Sequence, residues 1–336
     1  MNIHEKYINR CIQIAKNAIP SSYPNPAVGC CIVHDNKVIG EGYTSEYGSN
    51  HAEVNAINSV KNKELLISSS LYVTLEPCSH FGKTPPCSDL ILKFKIPKVY
   101  IGIEDPNPKV SGNGIKRLKK NGIIVKVGIL AEQCKTHHRI FMTNILKKRP
   151  YTVLKWAESK DGYISPLEKK IKKPVWISNE ISRQFTHKLR SEFQCILLGS
   201  NTIKEDNPKL NTRDYFGKSP TIAVITKKNN LNKNLNIFKS KSKVLVISND
   251  DIDFKKNVAK QVCKHLNSKQ ISSVIVEGGA ITLNTFLKEN IWDEVMVYKT
   301  NTKLHEGIKA PILKNYKIND SLKILNNKLV TYLNPF

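Results

Sequence analysis

The sequence predicts two successive α/β domains, and two observations support this fold class. Short apolar segments typical of buried strands alternate along the chain with segments whose apolar residues recur at helical spacing. The 336 residues are also about twice the length of an average domain of ~150 residues. Near the middle, residues 147–150 interrupt the alternation with a run of cations and a proline. We therefore expect one domain at residues 1–147 and a second at residues 148–336.

The first half is predicted to begin with an amphipathic helix over residues 5–18. Its apolar residues, from Ile8 to Ala15, recur at helical spacing, and Pro20 ends the pattern. A polar turn containing Asp and Asn joins the next two strands as a predicted hairpin. The further strands of this half are predicted at residues 28–33, 38–39, 71–75, 99–103 and 123–127, and the further helices from about residue 51 and at 88–94, 115–120 and 130–145.

The second half alternates in the same way, which predicts a second sheet covered by helices. Lysine-rich and asparagine-rich stretches at residues 168–173 and 227–236 have little capacity to form a core and are predicted surface loops. Strands are predicted at residues 151–156, 195–198, 221–225, 243–247 and 273–276, and a helix at 281–287.

The composition narrows the class of protein. Eight cysteines scattered through a chain of this length do not resemble a disulfide framework. We find no run of ~18 apolar residues and no secretory signal pattern, so no membrane partner is expected and the chain is predicted to be cytoplasmic. The net charge of +25 attracts anionic ligands. Its lysines are spread out, with no arginine-rich tract, so no specific nucleic-acid partner is expected.

The strongest chemical signal is a set of zinc-type ligands between residues 51 and 87. Glu53 follows His51 by two residues, and Cys78 and Cys87 each come directly after a proline. A histidine and two cysteines suit Zn²⁺, and three protein ligands leave the fourth position open to water, as in catalytic sites. If His51 opens a helix, Glu53 can act on that water as general acid and base without binding the metal. This pattern is typical of zinc deaminases.

Other interpretations of these residues stay open at this point. The two cysteines could close a disulfide. A structural zinc site in a nucleic-acid-binding protein would need a fourth ligand, which Cys30 or Cys31 could supply. A tRNA or nucleoside deaminase would use the same catalytic chemistry.

The cysteine loop resembles that of a known family. Deaminases of nucleosides and nucleic-acid bases space their cysteines as P-C-x-x-C, whereas Cys78 and Cys87 are separated by the longer loop PCSHFGKTPPC. This loop is similar to that of the bifunctional riboflavin-biosynthesis deaminase and reductase family. The segments PNPAVG at residues 24–29, EDPNP at 104–108 and GNG at 112–114 also resemble that family.

For the first half, the resemblance implies a cytidine-deaminase-like three-layer α/β/α domain. Its implied reaction is the hydrolytic deamination of 2,5-diamino-6-(5-phosphoribosylamino)pyrimidin-4(3H)-one, with Zn²⁺ on the three ligands named above and Glu53 as the catalytic acid and base. From the chemistry of the loops, we expect Asn25 to bind the pyrimidine, and His80 and Lys83 to contact the ribose phosphate.

The second half resembles the reductase of the same family. The stretch from Gly199 to Arg213 matches its pattern G-x-x-T-x-x-x-D-x-P-x-L-x-x-R, and VEGG at residues 276–279 matches its glycine turn. Glycines before a helix let backbone amides approach a phosphate. The resemblance implies a dihydrofolate-reductase-like α/β domain that uses NADPH to reduce the ribosyl side chain of 5-amino-6-(5-phosphoribosylamino)uracil to ribityl.

The resemblance also implies roles for individual residues of this half. The NADPH contacts fall on Ala157, Trp176, Thr202, Asp206, Gly278 and Gly279. The substrate contacts fall on Arg190, Leu210, Arg213 and Glu277. An arginine suits a sugar phosphate because its planar fork donates paired, charged hydrogen bonds. The family is commonly oligomeric, so we expect a homo-oligomer whose partners are small phosphoribosylated pyrimidines.

Two positions depart from the family pattern. Lys160 stands within SKDG where the family has an apolar residue, and Pro174 stands where a substrate-binding serine is usual. Both departures predict a change in the affinity of the reductase for its substrate.

Overall fold

Two α/β units follow one another along the chain. The computed structural model describes residues 1–82, 85–107, 110–169 and 172–335. Contacts divide the chain into Met1–Lys148 and Arg149–Phe336. Each unit is built on its own main sheet, so the predicted α/β class is confirmed. Among the described helices, none is both long and apolar enough to cross a membrane.

The first unit contains a five-stranded sheet. Its strands are β1 (Gly29–His34), β2 (Lys37–Tyr43), β3 (Ser70–Leu75), β4 (Lys98–Ile103) and β5 (Ile124–Val127). Its α-helices are α1 (Ile3–Ala15), α2 (Ala52–Ser59), α3 (Cys87–Lys93), α4 (Asn113–Lys120), α5 (Ala131–His137) and α6 (Arg139–Lys147). The strand order is β2-β1-β3-β4-β5. The strand β1 is antiparallel to both neighbours, and β3, β4 and β5 are parallel.

Close glycine contacts show that helices cover both faces of this sheet. A Cβ on Gly29 would overlap the backbone oxygen of Cys11 in α1, and a Cβ on Gly42 would overlap the backbone nitrogen of Ala56 in α2. Gly42 pairs with Cys30, which follows Gly29 along β1. Successive residues of a strand face opposite sides of the sheet. The helices α1 and α2 therefore lie on opposite faces, which gives the predicted three layers.

The helical pattern predicted over residues 130–145 is present, but the structure divides it into two helices, α5 and α6. His138 lies between α5 and α6, with φ −86° and ψ 9°. Its ring is 2% exposed, and its Nε2 lies 3.0 Å from Thr74 Oγ1 in β3. Hydrophobic periodicity continues through this contact, so the sequence pattern does not reveal the break.

The second unit contains an eight-stranded sheet and a separate two-stranded one. Its strands are β6 (Tyr151–Glu158), β7 (Tyr163–Ser165), β8 (Cys195–Gly199), β9 (Thr221–Ile225), β10 (Val244–Ile247), β11 (Ser273–Gly278), β12 (Glu294–Lys299), β13 (Ile308–Lys309), β14 (Lys317–Ile324) and β15 (Asn327–Leu333). Its α-helices are α7 (Glu180–Glu192), α8 (Ser200–Asp206), α9 (Asn236–Lys239), α10 (Val258–Ser268) and α11 (Ala280–Lys288).

The order of the larger sheet positions the second site. It runs β10-β9-β8-β11-β6-β12-β15-β14, and the strands from β10 to β12 are parallel. The central strands are fully buried apolar runs, for example residues 274–276 of β11, as expected for a parallel sheet covered on both faces. The carboxyl ends of β8, β11 and β6 therefore lie at one edge, where open α/β sheets place ligand sites.

Candidate active sites

The first site is a cluster of one histidine and two cysteines at the start of α2. His51 is the N-cap residue of α2, Cys78 lies in the loop after β3, and Cys87 is the first residue of α3. His51 Nδ1 lies 3.6 Å from Cys78 Sγ and 3.3 Å from Cys87 Sγ. All three donor atoms lie within 4.8 Å of one another. The structure thus brings the three predicted ligands together.

The donor set fits a catalytic zinc ion. Hydrogen bonds from the Cys87 side chain and from His51 lower the pKa of the Cys78 thiol to about 4, and zinc binds the thiolate form. All eight cysteines are free. In the part of the chain that the structure describes, neither Cys30 nor Cys31 joins the cluster. Three protein ligands match an open catalytic site rather than a closed structural one.

Glu53 lies beside these ligands without being one of them. It is the second residue of α2 and is 4% exposed. Burial raises the pKa of its carboxyl to about 6, although the charge of His51 opposes this shift. A carboxyl with a pKa close to neutrality can both accept and donate a proton in the same reaction.

A cavity of about 380 Å³ opens onto this cluster, within the range of ~300–1,000 Å³ of small-molecule sites. The predicted residues on its lining are Asn25, His51, Glu53, Cys78 and His80. The predicted substrate residue Lys83 lies outside the described residues. Asp105 and Asn107 also line the cavity. Both residues belong to the EDPNP segment, which in the sequence shows only a resemblance to the family. Their distance along the chain from the metal ligands gives no indication that they share a site with them.

The second site is a cavity of about 330 Å³ in the second unit. The predicted residues on its lining are Trp176, Arg190, Asp206, Leu210 and Arg213. Lys172, Lys173 and Lys209 line it as well, and Asp206 is ion-paired with Lys169. Cations therefore outnumber unpaired carboxylates around the cavity, which favours a phosphorylated ligand.

The glycine turn after β11 meets the start of α8. The N–H of Gly279 donates to Thr202 Oγ1 at 3.0 Å. Gly279 has φ +26°, and a Cβ there would lie 2.9 Å from the same oxygen, so this position requires glycine. Gly278 ends β11, and Ala157 lies near the end of the parallel neighbour β6. These four predicted NADPH residues therefore gather at the carboxyl edge of the sheet.

Two predicted substrate residues are bound to each other. Arg190 on α7 donates to both carboxylate oxygens of Glu277 on β11, at 3.1 and 2.6 Å. Each side chain is 8% exposed. Burial by itself raises the pKa of Glu277, but the charges of Arg190 and Lys155 outweigh it and lower the pKa to about 2. Arg190, which lines the second cavity, is thus held in a fully charged, buried pair with Glu277.

Glu277→Gln is expected to lower the free energy of unfolding of the second unit by about 3–5 kcal/mol, because Arg190 loses its partner in a buried position. The depressed pKa adds a pH dependence. The pair stabilises fully above pH 4.5, the ordinary pKa of Glu277, and this contribution is lost as the pH falls towards 2. Denaturant unfolding of both proteins between pH 2 and 7 measures the two effects.

The matched control for this variant is Glu180→Gln. Glu180 pairs with Arg183 at the surface and is 86% exposed, so its loss should change stability by less than ~1 kcal/mol. An equal free energy of unfolding of Glu277→Gln and Glu180→Gln would show that the buried pair stabilises the protein no more than the surface pair does.

No motif in the sequence points to Lys155, although it lies close to this pair. It is in the middle of β6, and its Nζ lies 5.3 Å from the centre of the Tyr298 ring. Burial lowers its pKa, while Glu277 opposes and Arg190 reinforces the shift. The only indication in the sequence was a lysine inside a largely apolar strand. Such a lysine is costly to bury, which makes it a candidate for a functional role.

The two departures from the family pattern fall in different environments. Lys160 is exposed, and its backbone N–H donates to the carbonyl of Thr302 at 2.8 Å. Pro174 lines the second cavity and offers neither a hydroxyl nor an N–H group. The substitution at residue 174 therefore concerns the cavity, and its effect on substrate affinity stays a prediction.

Comparison with known proteins decides the family. The sequence model of the cytidine and deoxycytidylate deaminase zinc-binding region matches residues 1–103, and that of the RibD C-terminal domain matches residues 150–302. The riboflavin biosynthesis protein RibD of Aquifex aeolicus is 34% identical to this chain, over 97% of the chain and 95% of its own length. The chain belongs to the RibD family.

Further RibD proteins support the same assignment. RibD of Bacillus amyloliquefaciens is 34% identical over 88% of this chain and 84% of its own length. The crystal structure of the deaminase and reductase from Thermotoga maritima is 30% identical, has a TM-score of 0.88 and covers 99% of both chains. The family predicted from the cysteine loop and from residues 199–213 is confirmed, and so are the zinc-binding deaminase half and the reductase half. Neither alternative, a tRNA deaminase or a structural zinc protein, is favoured.

Proposed function

We propose that this RibD-family chain catalyses two successive steps of riboflavin biosynthesis, deamination in residues 1–147 and reduction in residues 148–336. The Thermotoga maritima relative is named a diaminohydroxyphosphoribosylaminopyrimidine deaminase and 5-amino-6-(5-phosphoribosylamino)uracil reductase. The observation that carries the proposal is the cluster of His51, Cys78 and Cys87 beside buried Glu53, at a cavity of the size of a small molecule.

In the deaminase, His51, Cys78 and Cys87 would hold the zinc ion. When bound, Zn²⁺ supplies the Lewis acidity that lowers the pKa of water in such sites. Glu53 takes the proton of the attacking water while the water oxygen bonds to the amino-bearing carbon of the pyrimidine. The C–N bond then breaks, and Glu53 returns the proton to the departing nitrogen, which leaves as ammonia.

Substrate binding in the deaminase is assigned to the lining of the cavity. Asn25 carries an amide that can both donate to and accept from the pyrimidine edge. Asp105 and Asn107 add polar groups on another part of the lining. His80 and Lys83 remain the proposed contacts of the ribose phosphate.

In the reductase, the chain positions the cofactor and the ribosyl group. NADPH supplies the hydride when bound. Thr202, Gly278 and Gly279 form the turn at the carboxyl edge that would hold the cofactor, together with Ala157, Trp176 and Asp206. Arg190, Leu210, Arg213 and Glu277 would hold the substrate, and Lys155 adds a further positive charge beside the Arg190 and Glu277 pair.

The substrate phosphate would be attracted to the cations around the second cavity. Arg190 is already paired with Glu277, so Arg213, Lys172 and Lys173 are the more available charges on the lining. Phosphate binding by arginine and lysine is favourable because the hydrogen bonds are charge-assisted.

We also propose that the chain forms a homo-oligomer. The strand β14 is the edge of the larger sheet, and it exposes Ile318 and Leu322 by 61% and 43%. Exposed apolar edges pair readily with another strand, and a second copy would cover this one. Sedimentation equilibrium tests this, and a monomer at micromolar concentration would contradict it. The cytoplasmic location and the lack of a specific nucleic-acid partner stay predictions.

The function is tested by a two-stage assay of the zinc-loaded protein. The diaminopyrimidine ribosyl phosphate is supplied first, and ammonia release is followed. NADPH is then added, and its oxidation is measured. Both signals are expected in this order, because the product of the first reaction is the substrate of the second.

Each stage of the assay reports on one half of the chain. Ammonia without NADPH oxidation would show that the second cavity, with Pro174 on its lining, does not support reduction. Absence of ammonia would contradict the proposed function of the first half.

A further inference from the structure

The carboxylate of Glu76 accepts four backbone hydrogen bonds, two from the loop after β4 and two from the first turn of α4. Its Oε2 accepts from the N–H groups of Asp105 at 3.1 Å and Gly112 at 3.0 Å. Its Oε1 accepts from Gly114 at 2.9 Å and Ile115 at 3.3 Å. The Glu76 side chain is 4% exposed, so these bonds replace the contacts with water that the carboxylate loses on burial.

These bonds connect two parts of the deaminase cavity. Glu76 directly follows β3 and stands two residues before the metal ligand Cys78. Asp105, Asn107 and Val110 follow β4 and line the cavity. One carboxylate therefore ties the loop that carries a metal ligand to the loop that forms another part of the lining.

Two glycines at the start of α4 allow the backbone to approach Glu76 closely. Gly112 has φ +73° at the N-cap of α4, a conformation that residues with a side chain adopt only at a cost. A Cβ on Gly114 would overlap the carbonyl oxygen of Pro77 and would lie 3.2 Å from Glu76 Oε1. The two loops thus pack backbone against backbone, and the negative charge of Glu76 lies at the start of a helix, where it is favourable.

We propose that Glu76 is a positioning residue for deamination, which holds Asp105 and, next to it, Asn107 at the distance from the metal ligands that the pyrimidine needs. The proposal rests on the deaminase function proposed above. Glu76 itself lines the cavity, but both of its carboxylate oxygens already accept hydrogen bonds from backbone N–H groups. Its effect on the substrate therefore passes through the position of Asp105 and Asn107, which line the same cavity.

The proposal predicts that a change at Glu76 affects substrate binding more than the chemical step. Glu53 and the metal ligands lie on α2, on α3 and on the loop after β3. They do not belong to the segment that would be displaced. A group that contributes to binding in the ground state and in the transition state alike changes KM rather than kcat.

Glu76→Gln tests this prediction. The glutamine has the same shape, but its NH₂ group is a donor and cannot accept a hydrogen bond. Two backbone N–H groups that donate to a carboxylate oxygen of Glu76 would therefore lose their acceptor. We expect KM for the diaminopyrimidine substrate to rise about 10-fold and kcat to fall less than about 3-fold. Zinc content should stay unchanged, and so should the rate of NADPH oxidation when 5-amino-6-(5-phosphoribosylamino)uracil is supplied directly. Hydrogen exchange of the amides of Asp105, Gly112, Gly114 and Ile115 should become faster in the same variant.

Two further variants separate positioning from general support of the fold. Gly112→Ala disturbs the loop without changing the carboxylate or the metal loop, since a Cβ there meets only Lys116 Cε at 3.9 Å. It should raise KM in the same direction as Glu76→Gln. Glu132→Gln is the matched control, because Glu132 is an acid of the same unit near the start of a helix, α5, but is 81% exposed. It should leave KM unchanged.

Three results would overturn the proposal. The first is an unchanged KM in both Glu76→Gln and Gly112→Ala. The second is a loss of zinc in Glu76→Gln, which would make the role of Glu76 a structural one in the metal loop. The third is an equal fall of deaminase and reductase rates, which would indicate general unfolding. Failure of the unaltered protein to release ammonia contradicts the proposed function itself and is thereby distinguished from these results.

Discussion

Glu53→Gln is expected to slow deamination by about 10²- to 10⁴-fold while the protein keeps one zinc ion per chain. The glutamine retains the size of the side chain and its place in α2, but it cannot accept a proton. Glu53 is 4% exposed and lies outside the group of donor atoms, so the variant separates proton transfer from metal binding. Ammonia release and zinc content should be measured on the same preparation.

The control for this variant is Glu64→Gln, which changes an exposed acid of the same unit. It should deaminate at the normal rate, and both variants should oxidise NADPH normally when 5-amino-6-(5-phosphoribosylamino)uracil is supplied directly to the reductase. Near-normal deamination by Glu53→Gln would rule out Glu53 as the proton carrier. A loss of zinc would instead assign Glu53 to the support of the metal ligands.

Cys87→Ser is expected to lose zinc and, with it, deamination altogether. A serine hydroxyl stays protonated near neutral pH and is a poor ligand for Zn²⁺, whereas a thiolate is a strong one. Cys87 Sγ lies 3.3 Å from His51 Nδ1 at the start of α3, so the substitution leaves only two of the three donors. Zinc per chain is measured by atomic absorption after dialysis, alongside ammonia release.

Cys134→Ala is the matched control for the loss of a thiol. Cys134 is buried in the same unit, on α5, and does not belong to the metal cluster. It should retain one zinc ion per chain. Stoichiometric zinc in Cys87→Ser would show that the ligand set is wrong. Normal NADPH oxidation by the same protein, with 5-amino-6-(5-phosphoribosylamino)uracil supplied directly, would show that the second unit is intact.

The deaminase site was largely predictable because its chemistry is concentrated in short segments. His51 and Glu53 are two residues apart, and the helix that begins directly after His51 places both at one end of α2. Cys78 and Cys87 belong to one loop between β3 and α3. Local spacing and secondary structure therefore suffice to name these residues. Asp105 and Asn107 reach the same cavity only because β4 is the parallel neighbour of β3.

The reductase site was predictable only through its resemblance to a family. Arg190 and Glu277 are 87 residues apart, and nothing in their local sequence shows that they form a buried pair. Lys155 approaches this pair from β6, which lies next to β11 in the sheet although most of the unit separates them in sequence. Ion pairs of this kind depend on strand order, which local patterns do not determine.

In the first unit too, local sequence patterns do not reveal contacts between distant residues, as His138 and Glu76 show. The periodicity of residues 130–145 is continuous, yet a buried contact between His138 and Thr74 coincides with a division into two helices. Glu76 is an acid next to a metal ligand in the sequence, but its four bonds to residues 105–115 exist only in the folded chain.

The sequence by itself determined the α/β class and the family, and it predicted the three metal ligands and the acid beside them, because these depend on hydrophobic period, on short spacings and on motifs that lie within one segment. Only the tertiary structure decided that Arg190 pairs with Glu277, that Lys155 lies beside them and that Glu76 joins two loops of the deaminase cavity. These contacts join residues that are distant along the chain, and they form only when strand order and burial bring the residues together.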